Sequence, residues 1–149
     1  MQVSLKATYA ILAALDLAMH NGDSPVQAKS IAKRQSIPAR FLEQVLNAMK
    51  KAGLVTSLRG AQGGYMLSKK PSELSLAEIL EALDGPIGPH RGQASHRLSR
   101  RDHRQVSLLA SVWDRVKQAE LSVLASITVK ELVDRQRELE QQHALMYHI

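Results

Sequence analysis

Three closely spaced glycines, Gly60, Gly63 and Gly64, separate two short runs of strand-forming residues at 54–58 and 65–68. Two such runs joined by a glycine-containing loop predict a β-hairpin. Only 3% of the residues are aromatic, so the core must consist of aliphatic side chains and methionine. That composition favours helices over a large sheet. We therefore expect a mainly α fold with one small hairpin.

Apolar residues recur at steps of three and four on both sides of the hairpin, which predicts helices there. The predicted helices span residues 5–20, 26–35, 38–52, 76–83, 105–127 and 128–142. Ser4 and Ser36 are the expected N-caps of the first and third helices, and Ser75 with Glu78 matches a capping box. In the third helix, four apolar residues are expected to face the core: Phe41, Leu42, Val45 and Leu46.

The order of elements predicts a winged helix-turn-helix domain over residues 1–84. Residues 85–104 carry five Lys/Arg against one Asp/Glu and lack apolar periodicity, so we expect a flexible basic loop. Residues 105–149 are expected to form a long dimerisation helix and a C-terminal helix. The long helix has more apolar surface than a small domain can cover, so packing against a second chain is expected. Its candidate dimerisation residues are Leu109, Trp113, Val116, Val123 and Ile127.

Charge and composition limit the possible partners and compartments. The net charge is +6 and the pI is about 9.8, which suits a polyanion but is also compatible with an ordinary solvated surface. The sequence has neither an apolar run of about 18 residues nor a recognisable secretory signal, so we expect a cytoplasmic protein that does not enter membranes. The chain has no cysteine, which excludes disulfides and thiolate-ligated metal centres.

In a helix-turn-helix, the second helix enters the major groove through its N-terminal residues. Gln44 can read adenine bidentately, and Arg40 can meet guanine or a phosphate. Glu43 would be costly among phosphates unless it accepts from a cytosine amine or holds a basic neighbour. Arg59 at the wing suits a narrow minor groove. The candidate DNA-binding residues are Lys33, Ser36, Pro38, Ala39, Arg40, Glu43, Gln44, Asn47, Ser57, Arg59 and Gly60.

Several short motifs together resemble the Rrf-two family of bacterial transcription regulators. They are Tyr9-Ala10, Ser30-Ile31-Ala32, Phe41-Leu42-Glu43-Gln44, the segments 51–55 and 81–86, and the wing Arg59-Gly60 with Gly63-Gly64-Tyr65. The resemblance covers nearly the whole chain. It implies a dimeric winged helix-turn-helix factor, usually a repressor. It also implies DNA contact at the matching positions Ala39, Arg40, Glu43, Gln44, Ser57 and Arg59.

The chain departs from this family in the basic loop, where sensing members place three cysteines that hold an iron–sulfur cluster. In the first helix, Thr8 and Leu12 stand where acidic or histidine ligands would sit. His90, His96 and His103 are candidate ligands for zinc, copper or iron, but five nearby arginines oppose a dication. We therefore expect no metal and no cofactor. The loop is also a candidate for phosphate attraction, or for contact with an anionic effector or a partner protein.

These observations favour a sequence-specific regulator of transcription that binds double-stranded DNA as a homodimeric repressor and reads an inverted repeat. The alternative is a winged-helix module that acts through protein–protein contacts. An enzyme is not expected, because the chain has neither a phosphate-binding loop followed by Lys-Ser/Thr nor a cysteine nucleophile. The sequence leaves open the target genes, the sign of regulation and any small-molecule or protein effector.

Overall fold

The computed structural model describes residues 1–20, 24–87 and 102–148. The helices are α1 (Leu5–His20), α2 (Ala28–Gln35), α3 (Ala39–Lys51), α4 (Leu76–Asp84), α5 (Asp102–Ser126) and α6 (Val129–Tyr147). The strands β1 (Val55–Leu58) and β2 (Gly64–Leu67) form the hairpin, and a short 3-10 helix spans Pro71–Glu73. The predicted mainly α architecture with a small hairpin is confirmed. None of the described helices is both long enough and apolar enough to cross a membrane.

The helix α1 lies at the centre of the fold because one of its faces is made of alanines. Four of them are completely buried: Ala7, Ala10, Ala13 and Ala14. An alanine side chain ends at Cβ, so neighbouring elements can pack close to the α1 backbone. The elements α2, α3, α4, α6 and β2 all pack against it.

The core around α1 is aliphatic. Its fully buried members include Leu17, Ile31, Leu42, Leu46, Met49, Leu74 and Ile79. Val129 and Val133 bring the first turns of α6 into the same core. Leu124 near the end of α5 packs in a second cluster with Ala7 and Leu80. The division of the chain at residues 84 and 104 stays a prediction.

Two of the predicted helix caps are confirmed. The Ala7 N–H donates to Ser4 Oγ at 3.0 Å in the first turn of α1. At the start of α4, the Glu78 N–H donates to Ser75 Oγ at 3.3 Å and the Ser75 N–H donates to Glu78 Oε2 at 2.9 Å. This is the reciprocal pattern of a capping box. The cap predicted at Ser36 is wrong, as described below with the interface.

A single extended residue outside the two strands, Val26, fixes the hairpin to the rest of the fold. β1 and β2 are antiparallel, with Val55 opposite Leu67 and Leu58 opposite Gly64. Val26 bridges to Tyr65 on the outer side of β2 through two N–H···O bonds of 2.9 and 2.8 Å. The prediction that Val26 begins the second helix is therefore wrong, and α2 begins at Ala28. The bridge connects the wing to the residues just before α2.

We predict that Gly64→Ala destabilises the protein. A Cβ at position 64 would overlap the backbone carbonyl of Val26, and Gly64 has a φ of 157°. The expected loss is about 1–3 kcal/mol of unfolding free energy, measured by urea denaturation. Gln62→Ala in the exposed wing turn is the control and should change stability little. Equal stability of the two variants would contradict the prediction.

Candidate nucleic-acid interface

The helix α3 has two faces of opposite character. Its inner face consists of four completely buried side chains: Leu42, Val45, Leu46 and Met49. Its outer face carries four exposed polar residues: Arg40, Glu43, Gln44 and Asn47. Because Glu43 and Gln44 each lie three or four positions from both Arg40 and Asn47, the four residues share one side of the helix. The inner face fixes the helix on the core, so the outer face is presented to solvent as one polar strip.

The prediction that Phe41 faces the core is wrong. Its side chain is 37% exposed, and its ring meets Tyr9 of α1 edge-on at a centroid distance of 5.9 Å. Position 41 lies about 100° around the helix from Arg40, at the border between the two faces. Phe41 therefore covers the edge of the core beside the polar strip.

The turn between α2 and α3 depends on Ser36, but not in the predicted way. Ser36 has φ 53° and ψ 42°, a left-handed conformation in which it ends α2, and its N–H donates to the Ala32 carbonyl. Pro38, not Ser36, occupies the N-cap position of α3, without a side-chain cap bond. The Ile37 N–H also donates to the Ala32 carbonyl, at 3.0 Å, and the Ile37 side chain is buried. These two hydrogen bonds to the Ala32 carbonyl fix the direction in which the chain enters α3.

The other predicted residues near this turn are open to solvent. Lys33, Ser36, Pro38 and Ala39 are all exposed. They adjoin the polar strip of α3, because they lie in the last turn of α2, in the connecting turn and in the first turn of α3. The sequence-predicted residues of the helix-turn-helix are therefore all exposed to solvent.

An ion pair between a buried carboxylate and a partly exposed arginine supports this turn, and sequence reasoning missed it. Asp16 of α1 is completely buried and accepts from Arg34 Nε at 2.9 Å and Nη2 at 2.7 Å. Gln35 Nε2 also donates to Asp16, at 3.0 Å. Burial alone would raise the pKa of Asp16, but the hydrogen bonds from Arg34 and Gln35 and the charge of Arg34 outweigh it and lower the pKa. The hydrogen bond to Asp16 raises the pKa of Arg34.

The candidate DNA-binding residues of the wing lie at the end of β1 and just after it. Arg59 and Gly60 directly follow β1 and are exposed, and Ser57 is half-buried opposite Tyr65. Sequence reasoning missed Leu58, a large apolar side chain that is 55% exposed beside Arg59. Side chains alternate along a strand, so with Val55 buried, Leu58 falls on the opposite, exposed face. This alternation was a signal that could have identified Leu58.

The helix α5 presents an apolar surface along its length. The predicted dimerisation residues Leu109, Trp113, Val116 and Val123 are 38–58% exposed, and Leu108 and Val112 add to them. Ile127 lies beyond the end of α5, half-buried, and its carbonyl accepts from the Leu76 N–H at 2.9 Å. The described structure thus leaves several large apolar side chains of α5 in solvent.

The comparisons with known proteins agree with this architecture. The family model Rrf2, described as an iron-dependent transcriptional regulator, matches residues 3–135. The chain belongs to the Rrf2 family. It is 35% identical over 140 residues to the HTH-type transcriptional regulator IscR of Photorhabdus laumondii, covering 94% of this chain and 84% of that protein. It is 32% identical to the HTH-type transcriptional regulator CymR of Bacillus subtilis over 149 residues, the full length of both.

Solved structures of the Rrf2 family have the same fold. The structure of CymR, the global cysteine regulator of B. subtilis, matches with a TM-score of 0.74 and 30% identity, covering 91% of this chain and 98% of that one. The structure of IscR from T. potens matches with a TM-score of 0.71 and 36% identity, covering 93% and 90%. These relatives bear the names of transcription regulators and not of enzymes. This protein is accordingly a helix-turn-helix transcription regulator. The comparisons favour this function over the alternative of a module that acts through protein–protein contacts alone.

The iron dependence in the family description raises the question of whether this chain can hold iron. It has no cysteine, so it lacks the thiolates that a cysteine-ligated cluster requires. Thr8 is exposed and Leu12 half-buried on α1, and neither is an iron ligand. Within residues 1–20, 24–87 and the described side chains of 102–148, no three His, Asp or Glu lie close enough to bind a metal. His90, His96 and the side chain of His103 lie outside the described residues.

We predict that Asp16→Asn lowers stability in a pH-dependent way. At about pH 7 the loss should be about 2–3 kcal/mol, below the range for fully buried pairs because Arg34 reaches solvent. The lowered pKa of Asp16 stabilises the wild type above the unfolded-state value of about 3.9, and this stabilisation is lost as the pH falls through the folded-state pKa. Urea denaturation of both proteins should show the difference shrinking as the pH falls below the unfolded-state value of about 3.9. A difference that stays constant would contradict the prediction.

Proposed function

We propose that this protein is a homodimeric repressor that reads an inverted repeat in double-stranded DNA through α3 and the wing. The observation that carries the proposal is the exposed polar strip of α3, which lies opposite a completely buried apolar face. A helix held in this way can enter the major groove without losing its contacts to the core. Membership in the Rrf2 family supports DNA as the partner.

Each residue of the helix-turn-helix has a proposed role that follows from its chemistry. Gln44 reads an adenine edge, and Arg40 reads guanine or holds a phosphate. Asn47 lies one turn further along the same strip, and Glu43 accepts from a cytosine amine. The exposed residues at the turn contact the DNA backbone: Lys33, Ser36, Pro38 and Ala39.

The wing is proposed to contact the DNA beside the major groove. Arg59 is exposed, and its guanidinium suits the negative potential of a narrow A/T-rich minor groove. Gly60 has a φ of 112° and open space around its Cα, so its backbone can come close to a phosphate. Ser57 offers a hydroxyl on β1, the strand that leads to these two residues. The Val26–Tyr65 bridge supports this role, because it ties the wing to the start of α2.

The exposed apolar surface of α5 is proposed to pack against α5 of a second copy. A two-fold axis between the two helices would place two copies of α3 on one side of the dimer. Such a pair would read half-sites about 34 Å apart, one turn of the double helix, or a small multiple of that distance. Leu109, Trp113, Val116 and Val123 would lie in this interface, with Ile127 at its end.

The central test of the proposed function is a gel shift with promoter fragments at two salt concentrations. Specific binding should survive an excess of unrelated competitor DNA. Its affinity should fall steeply with salt, with a logarithmic slope of about −0.9 for each phosphate contacted. Binding that disappears with competitor at both salt concentrations would refute a sequence-specific regulator.

We predict that Gln44→Ala weakens binding by about 1–3 kcal/mol at the operator and relaxes the preference at one base pair. The reason is that the variant loses a bidentate contact to one base. The measurement is a set of affinities for operators that differ at single positions. Gln142→Ala, exposed on α6, is the control and should bind like the wild type. An equal loss on every sequence would show that Gln44 does not read a base.

We predict that Arg59→Ala weakens binding most where the half-sites are flanked by A/T-rich DNA. The variant loses a cation from the region where the minor groove is narrowest. Affinities for operators with A/T-rich and G/C-rich flanks measure the effect. Arg137→Ala, an exposed arginine of α6, serves as the control. An unchanged footprint and unchanged affinity would remove Arg59 from the interface.

We predict that Leu109→Lys converts the dimer into a monomer, because it places a charge in the apolar interface. Light scattering should report half the wild-type mass, and circular dichroism should report the same helix content. Ser107→Lys adds the same charge at an exposed position about 200° around the helix and should leave the dimer intact. A Leu109→Lys protein that remains dimeric would refute the α5 interface.

A further inference from the structure

Among the described residues, Asp16 is the one charged side chain that is completely buried. It lies on α1 and receives three hydrogen bonds, two from the guanidinium of Arg34 and one from the amide of Gln35. The two bonds from Arg34 form a fork, in which the planar guanidinium meets both carboxylate oxygens. A fork of this kind fixes orientation as well as distance.

The two partners of Asp16 are the last two residues of α2. The next residue, Ser36, has the left-handed conformation that ends the helix, and Pro38 is the N-cap of α3. The Ser36 and Ile37 N–H groups both donate to the carbonyl of Ala32, in the same last turn. Asp16 therefore holds the segment of chain that sets the direction of α3.

Stability alone does not account for a carboxylate at this position. Exchanging a buried ion pair for well-packed apolar residues is often neutral or stabilising, so such a pair is weak evidence for stability. What the pair supplies here is a fixed geometry between α1 and the end of α2. The bonds from Arg34 and Gln35 also lower the pKa of Asp16, which keeps the carboxylate ionised at neutral pH.

We propose that Asp16 is a positioning residue for DNA recognition: it fixes the last turn of α2, and thereby the angle at which α3 presents Arg40 and Gln44. This inference rests on the proposed function, since it assigns a residue to the same interface. Asp16 is completely buried and cannot itself touch DNA. Any effect on sequence recognition must therefore pass through α2 and the turn.

The experiment compares Asp16→Asn with a control that destabilises the core elsewhere. Leu74→Ala removes a completely buried side chain between the short 3-10 helix and α4, at a residue whose backbone pairs with Val129 of α6 and not with the turn. Urea denaturation first establishes how far each variant is destabilised. Affinities for the operator and for an unrelated duplex are then measured at low temperature, where both variants are folded. The readout is the ratio of the two affinities.

For Asp16→Asn, we expect operator affinity to fall between about fivefold and about 150-fold, the range that a lost bidentate base contact gives. Affinity for the unrelated duplex should stay the same, because phosphate attraction does not depend on the angle of α3. Leu74→Ala should leave the ratio at the wild-type value. If Asp16→Asn also leaves the ratio unchanged, the inference is wrong and the pair is merely structural.

Hydrogen exchange locates the change directly in the free protein. In Asp16→Asn, the amides of Ser36 and Ile37 should exchange faster than in Leu74→Ala of similar stability, because the turn is no longer held. Equal exchange of these two amides in both variants would overturn the inference. This measurement needs no DNA. If the wild type bound no duplex specifically, the proposed function would fail while the effect on the turn could still be measured.

Arg34→Lys gives an answer even if Asp16→Asn does not fold. Lysine keeps a positive charge beside Asp16 but cannot form the fork. We expect the same loss of operator preference with unchanged affinity for unrelated DNA. Because the Arg34 side chain is 36% exposed, a direct phosphate contact is the competing explanation. In that case, both affinities and the salt slope would change together, and this outcome or an unchanged operator preference would overturn the inference.

Discussion

The alanine face of α1 sets how closely the neighbouring elements can pack in the core. Four buried alanines let neighbouring elements approach the α1 backbone closely, and α2, α3, α4, α6 and β2 all pack against this helix. A chain with few aromatic residues gains its stability from many such close aliphatic contacts. The same arrangement puts every element of the helix-turn-helix and one strand of the wing on a common support. Substitutions that enlarge this face would therefore disturb the whole domain.

The proposed function follows from the way in which the core holds α3. The inner face of α3 is buried in the core, and the short α2 and its turn set the direction in which the chain enters α3. Asp16 links α1 to the end of α2, and the Val26–Tyr65 bridge links the start of α2 to the wing. The exposed strip on α3 and the wing are thus tied to the two ends of one short helix. That arrangement supports a proposal in which both meet DNA as a unit.

Much of this fold was predictable because its signals are local. Helical spacing gave the helices, glycines gave the hairpin, and Ser75 with Glu78 gave a cap. Ser36 was misjudged because a non-glycine residue rarely takes a positive φ, and nothing in the sequence marks it. Phe41 stands at the border of a helix face, where periodicity cannot decide its burial. The partners of Asp16 and Val26 were missed because those contacts join residues that are far apart in the sequence, although a lone acid in an apolar helix was a usable signal.

Selecting random duplexes with the purified protein, and sequencing those that it retains, tests whether the protein reads an inverted repeat. If a homodimer reads DNA through α3 and the wing, the retained duplexes should share an inverted repeat whose half-sites are centred about one helical turn apart, or a small multiple of that distance. Retained duplexes that share no sequence, or that share a single site without two-fold symmetry, would contradict this mode of binding.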